Sequence, residues 1–301
     1  MVEVGRHAMR VFVGLTLAAG SWMGLAVSGS LSAAQIDCGS VTPTSATATP
    51  RATPASIAEV AFPKGGGTLT VFAAASLTDA FDEFAATLEN ANAGLEIVIQ
   101  TGGSQTLVTQ LREGAEADVL ATANNPTMAT AVKAGLIIGE PVHFTGNRLV
   151  IVAPPANPAG IASLDDLAKD DVLLVVANSA VPAGAYAREV LCVYGDSGVA
   201  AEGFVEAIDG NIVSEEEDVR NVLAKVQLGE ADAGIVYASD AVAAELGGAQ
   251  VAVIEFPAGL PLTARYPIAA VEGGNIDLTN AFIAAILSSE GQAVLAKYGF
   301  G

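Results

Sequence analysis

From residue 69 onward, short apolar runs of strand type alternate with stretches of helical periodicity, and this alternation constrains the fold more than any other feature of the sequence. The strand-like runs are LTVFAAA (69–75), EIVIQ (96–100), DVLA (118–121), RLVIVA (148–153), VLLVVA (172–177), AGIVYA (233–238), QVAVIEF (250–256) and PIAAVE (267–272). Between them apolar residues recur at helical spacing, as in Leu77, Phe81, Phe84 and Leu88, in Leu107, Val108 and Leu111, and in Val219, Leu223 and Val226. Strands alternating with helices predict an α/β fold built of βαβ units, with mostly parallel sheets. About fourteen elements over roughly 235 residues exceed one small sheet, so two lobes are expected.

Composition removes several functional classes. The chain has 301 residues, with 13 Lys and Arg against 33 Asp and Glu, a formal net charge of −20. Without residues 1–67 the balance is 9 basic to 30 acidic, near −21. Nucleic-acid binding and attraction to an anionic membrane surface both need the opposite sign, so neither is expected. An apolar fraction of 51% can bury a large core, which excludes a wholly disordered chain. Two Cys and two His, His7 and His143, cannot build a disulfide scaffold or a Cys- or His-cluster metal site.

The N-terminus reads as an address. Arg6 and Arg10 precede an apolar run over 11–27, and the small residues Ser32, Ala33 and Ala34 follow. Residues 1–34 are therefore expected to be a secretory signal cut after Ala34. The competing reading, an uncleaved membrane anchor, suits so short a run less well. Either reading places the body outside the cytoplasm, in the periplasm or on the outer face of the membrane. Residues 35–67 are rich in Thr, Ser, Pro and Ala and end in Gly65-Gly66-Gly67, and are expected to be a disordered linker. Within it Cys38 stands where an exported lipoprotein carries its lipid anchor, although Asp37 replaces the small neutral residue of that signal. An idle thiol and a disulfide to Cys192 are the alternatives.

Helix starts carry the functional signal. Ser76 follows the first strand and has Asp79 three residues on, as in a capping box; Ser104 follows Gly102-Gly103; Ser163 precedes Asp166; Pro182 suits a first helical turn; and the acidic run Glu215–Asp218 precedes Val219 as acids do in a first turn. A serine before a helix is most often a simple cap. In a parallel sheet, however, helices that follow strands start at one edge and aim unpaired N–H groups at one cleft. Such a cleft binds an anion without Lys or Arg, as suits a chain this poor in basic residues.

The blocks VFAAASLTDAF (71–81), GGSQTL (102–107), REGAEADVLATA (112–123), NRLVIVAP (147–154), VPAGAYAREVL (181–191), EDVRNVL (217–223), GIVYASDA (234–241) and YPIAAVEG (266–273) occur in an order and spacing that resemble the periplasmic molybdate-binding protein family of ABC transporters, over residues 68–300. The resemblance implies a two-lobed periplasmic-binding-protein fold of type II, the venus flytrap, which closes on a tetrahedral oxyanion and delivers it to a membrane permease. It implies molybdate as ligand, with tungstate as its near equivalent. Ser76 and Ser104 would donate from the first lobe, Ala183 and Val219 through their backbone N–H groups from the second, and Tyr237 through its phenol. No catalytic residue and no cofactor are expected. Molybdenum would be held only as the oxyanion, through these same five residues, by what is expected to be a monomer.

Two positions depart from the family pattern: Gln105 after Ser104, and Asn124-Asn125 where an acidic residue is usual. Gln105 either narrows the mouth of the site or faces solvent. The alternative ligands are another tetrahedral oxyanion such as sulfate, or an organic anion. Asp218 is the group to watch, because a protonated phosphate needs an acceptor in the site. Arg220 is expected in a surface ion pair, His143 in a loop, and no serine lies in a nucleophile elbow. Lobe 1 is expected to comprise 68–149 plus 266–301 and lobe 2 150–265, with a two-stranded hinge in NRLVIVAP and RYPIAAVE.

Overall fold

A computed structural model describes residues 36–39, 56–260 and 263–301. Among them are nine strands: β1 Gly67–Ala74, β2 Leu95–Gly102, β3 Val119–Ala121, β4 Ile137–Ala153, β5 Leu174–Ala177, β6 Ile212–Glu216, β7 Ala233–Tyr237, β8 Ala252–Ile254 and β9 Thr263–Val271. The α-helices are α1 Thr78–Ala91, α2 Ser104–Arg112, α3 Asn125–Lys133, α4 Pro182–Gly195, α5 Phe204–Asn211, α6 Val219–Gln227, α7 Ala238–Leu246, α8 Ile276–Leu287 and α9 Ser289–Lys297. The strands run in the order β2-β1-β3-β9-β4-β7-β5-β6, with β8 also on β4.

Strand β4 holds the two halves together. Its residues 137–148 pair with β9, and its residues 149–153 pair with β7 and β8. The first sheet is thus β2-β1-β3-β9-β4 and the second is built on the far end of β4. Strand β1 runs parallel to β2 and β3, and β5 parallel to β6 and β7, as the alternation predicts. The sheets as a whole are mixed, because β4 and β9 run antiparallel to the strands they join. These are the strands of the NRLVIVAP and RYPIAAVE blocks, and β4 begins eleven residues earlier than its apolar run. Glu140, Pro141 and two bulges hide its first half from an apolar-run reading.

Helical stripes and strand faces make the core. Phe81, Phe84 and Leu88 of α1 are buried, and Phe81 packs edge-on to Phe282 of α8 at 5.8 Å. Each such ring contributes about 1.5–3 kcal/mol by burial. Val150, Ile151 and Val152 of β4 are fully buried, as befits a strand covered on both faces. By its internal contacts Ile36–Gly301 is one compact unit.

Two expectations at the N-terminus are corrected. Cys38 is disulfide-bonded to Cys192, near the far end of α4, with Cα atoms 5.4 Å apart, so its sulfur carries no lipid anchor. The 35–67 linker is fastened where it is described: the Ile36 N–H donates to Asp209, and Ser56 and the Ile57 N–H donate to Glu290 of α9. Ile57, Val60 and Phe62 also pack on the core, since even this polar stretch carries enough apolar residues to dock. Gly66 lies so close to Gly94 that a Cβ would come within 2.0 Å of its carbonyl, so a glycine is needed at this crossing just before β1. The signal-peptide expectation falls on 1–34, outside the described residues. No described helix is long and apolar enough to cross a membrane.

Candidate functional site

The carboxyl ends of β1, β2, β3, β5, β6 and β7 meet around one small cavity. It is lined by Ala74–Ser76, Gly102–Ser104, Ala123, Val181–Ala183, Asp218, Val219 and Tyr237, each at or just beyond a strand end. All five residues expected at the site are brought together here. The space between these residues is about 10 Å³, room for about one water molecule. Sites for larger organic ligands run to about 300–1,000 Å³.

Helix starts supply the walls. The 3-10 turn Ala75–Leu77 that leads into α1, and helices α2 and α4, follow Ala74, Gly103 and Val181, none of which makes a side-chain cap. The N–H groups of Ser76, Ser104 and Ala183 lie in these first turns, where no intrahelical carbonyl can receive them. Val219 likewise opens α6. These are dipoles with their positive ends toward the cavity, and the lining holds no Lys or Arg.

Neither serine is the cap that a strand-to-helix serine usually is. Ser76 sits inside the 3-10 turn, and its hydroxyl lies 2.8 Å from the Tyr266 hydroxyl. The capping box with Asp79 does not form, because Asp79 instead accepts from Arg220 Nη2 at 2.6 Å. Ser104 is the first residue of α2, and its Oγ accepts the Ala123 N–H at 3.1 Å. With that lone pair engaged, the Ser104 hydroxyl hydrogen is left for the cavity.

Tyr237 ends β7 almost completely buried, and its hydroxyl has no hydrogen-bond partner. Burial, with the neighbouring Tyr266 and Tyr186 and the Asp240 carboxylate, pushes its pKa well above the ordinary phenol value, so it is a proton donor at any physiological pH. A buried, unpaired donor costs about 1–3 kcal/mol.

The one acidic residue in the lining is turned onto its own helix. Asp218 caps α6: its Oδ1 accepts the Asn221 N–H at 2.9 Å and its Oδ2 accepts Asn221 Nδ2 at 3.1 Å. The run before it is not a first helical turn. Glu215 and Glu216 belong to β6 and pair with Arg188 and Lys225, partners that local sequence does not reveal. Arg220 bridges Asp79 and the buried Asp240. Its Nε lies 2.8 Å from Asp240 Oδ1, paired by charge without the alignment of a hydrogen bond. Burial, offset by Arg220, raises the Asp240 carboxyl to about 6.

The departures from the family pattern also find places. Gln105 Nε2 donates to the Glu217 carbonyl at 3.0 Å, joining α2 to the loop before α6 across the rim. Asn124 caps α3 through the Thr127 N–H. His143 is paired within β4 and lines a separate surface groove with Lys133 and Pro267. The sequence reading missed Tyr266, Asn147 and Ser239, which are all buried behind Ser76. The available signal was a polar residue at the head of each of two apolar strands, Asn147 in NRLVIVAP and Tyr266 in YPIAAVEG.

Residues 69–301 match the family described as bacterial extracellular solute-binding protein. The chain is 35% identical over 283 residues to the molybdate-binding protein ModA of Mycobacterium tuberculosis, covering 93% of this chain and 98% of that protein. The chain belongs to the bacterial extracellular solute-binding proteins. Within the family it is also 35% identical over 241 residues to Escherichia coli ModA, covering 78% and 89% of the two chains. Its fold is that of solved periplasmic solute-binding proteins. The sulfate-binding protein SubI of M. tuberculosis superposes with a TM-score of 0.70 at 19% identity, covering 77% of this chain and 86% of SubI. The Azotobacter vinelandii periplasmic molybdate-binding protein superposes with a TM-score of 0.62 at 18% identity, covering 77% and 98%. This solute-binding protein thus has the two-lobed type II architecture, with its cavity at the converging strand ends.

Proposed function

We propose that this protein captures molybdate, or tungstate, outside the cytoplasm and hands it to the permease of an ABC importer. The observation that carries the reading is the buried, unpartnered Tyr237 hydroxyl, set among the first-turn N–H groups of four helix starts in a small cavity without a cation. Only a guest that accepts hydrogen bonds from every side satisfies such a wall, and a fully deprotonated tetrahedral dianion is one. The turning of Asp218 onto Asn221 supports a dianion over a protonated phosphate, which would need an acceptor inside. The ModA relatives support molybdate over sulfate.

Ser76 and Ser104 hold the ion from one side, and Ala183, Val219 and Tyr237 from the other. The protein needs no cofactor, performs no catalysis and works as a monomer. Lobe 1 is 68–149 with 266–301 and lobe 2 is 150–265; they rock about β4 and β9, and the ion stabilises the closed form by touching both. Scattering curves that superimpose with and without molybdate would contradict the closure.

Thermal unfolding with molybdate, tungstate, sulfate and phosphate in turn tests the ligand. Ligand at a hundred times its dissociation constant adds about 2.7 kcal/mol, a shift of roughly 5–10 °C at this size. Molybdate and tungstate should give it and phosphate should not; no shift with any of the four would overturn the reading.

A further inference from the structure

Behind Ser76 lies a chain of hydrogen bonds whose direction can be worked out atom by atom. Asn147 Oδ1 accepts the Arg148 N–H at 2.9 Å, which fixes the side-chain amide with its oxygen there. Both hydrogens of Asn147 Nδ2 must then point the other way, and they do: one to Ser239 Oγ at 2.8 Å, the other to the Tyr266 hydroxyl at 3.3 Å. Tyr266 therefore accepts from Asn147. Its own hydrogen needs an acceptor, because the group is completely buried and an unpaired donor there is costly. The Tyr237 hydroxyl makes no hydrogen bond, so the acceptor is Ser76 Oγ at 2.8 Å. With Ser76 receiving that hydrogen, its own points into the cavity.

We infer that Tyr266, held by Asn147, is a specificity-determining positioning residue: it forces Ser76 to present a hydrogen and not a lone pair to the bound ion. This rests on the oxyanion reading and extends it, since it names the groups that select for a fully deprotonated guest. The Tyr266 ring is clamped edge-on by Phe300 at 5.5 Å, Tyr237 at 5.9 Å and Phe144 at 6.4 Å, so it has no second position from which to reverse the relay. A guest that carries a hydrogen, as phosphate does near neutral pH, meets hydrogen against hydrogen at Ser76. Sulfate, of nearly the same size, does not.

The size match gives the test. Tyr266→Phe keeps the ring and removes only the relay, so the Ser76 hydroxyl can turn and accept. Binding of molybdate, sulfate and phosphate to the full chain is measured at pH 7 by competition and thermal shift. In the variant, molybdate and sulfate should weaken about five-fold, phosphate less than two-fold, and the sulfate-to-phosphate ratio should narrow accordingly. In a Ser76→Ala background, Tyr266→Phe should change that ratio no further, which separates action through Ser76 from a general loosening of the core. Asn147→Leu, which releases Tyr266 without touching its ring, should narrow the ratio in the same way and serves if Tyr266→Phe does not fold. An unchanged ratio, or an equal loss for all three anions, would overturn the inference while wild-type molybdate binding left the function standing. Failure of the wild type to bind any of the three would overturn both.

Discussion

The two walls of the cavity are finished to different degrees. On the wall formed by β1–β3, α1 and α2, each hydroxyl is already bonded to the protein, Ser104 through the Ala123 N–H and Ser76 through Tyr266. On the wall formed by β5–β7, α4 and α6, the donors are backbone N–H groups and a tyrosine hydroxyl that nothing satisfies. On the first wall each hydroxyl oxygen already has a protein partner and only hydrogens await a guest; on the second the Tyr237 hydroxyl has no partner at all. A binding protein that must grip and release gains from this division. The finished wall keeps the donors in register, and the unfinished wall makes closure favourable only when an acceptor is present.

The largest expected effect separates the stability of the second wall from its geometry. The Cys38–Cys192 bond closes a sequence separation of 154 residues and ties the N-terminal segment near the far end of α4, away from the cavity. Reduction should cost about 2–5 kcal/mol of stability on the chain-entropy account, read as a fall in the urea midpoint. Molybdate affinity should stay within about two-fold, and a large loss would show that the disulfide shapes the wall.

Gly184 breaks the geometry directly. A Cβ there would lie 2.1 Å from the Asn178 carbonyl oxygen and 2.2 Å from that of Ala177. Gly184→Ala must push the start of α4, and with it the Ala183 N–H, off the sheet. Overpacking of this kind costs about 3 kcal/mol, and calorimetry should show affinity falling with stability.

Paired substitutions then contrast the walls. Ser104→Ala removes a donor from the cavity and an acceptor from Ala123, so affinity should fall by about 1.5–3 kcal/mol and the ligand-free protein should lose about 1 kcal/mol. Tyr237→Phe should weaken binding to a similar degree but raise ligand-free stability by about 1 kcal/mol, because it removes an unpaired buried hydroxyl. If both variants lowered ligand-free stability, the unfinished-wall account would fail.

The smallest expected effect is on pH. The Asp240 carboxyl, raised by burial to about 6, is more easily protonated folded than unfolded. Its contribution to stability is therefore full below about pH 4 and lost as pH rises through 6. Asp240→Asn should flatten that part of the stability profile. Asp166 acts in the opposite sense: Lys169 and the N–H groups of Ala162 and Ser163 hold it at about 2, so its contribution is present above about pH 4 and lost as pH falls through 2.

How much of this was legible in the sequence follows from range. Apolar runs and helical stripes are local, and they give eight of the nine described strands and the strand-to-helix points at which Ser76, Ser104, Ala183, Val219 and Tyr237 meet. Strand β6 was hidden in an acidic run, because the cations that neutralise Glu215 and Glu216 come from α4 and α6. The relay behind Ser76 joins residues 92 to 190 positions apart, and the disulfide joins residues 154 apart; neither leaves a local pattern. The resemblance supplied the five residues without the reason that Ser76 donates, and that reason lies in Tyr266 and Asn147.

Diffraction at the molybdenum absorption edge from crystals grown with molybdate tests the central claim most directly. One anomalous peak should lie in the cavity, with an oxyanion oxygen within about 2.5–3.0 Å of the Tyr237 hydroxyl and others on Ser76, Ser104 and the N–H groups of Ala183 and Val219. A peak outside the cavity, or a bound ion that leaves the Tyr237 hydroxyl unbonded, would contradict the account.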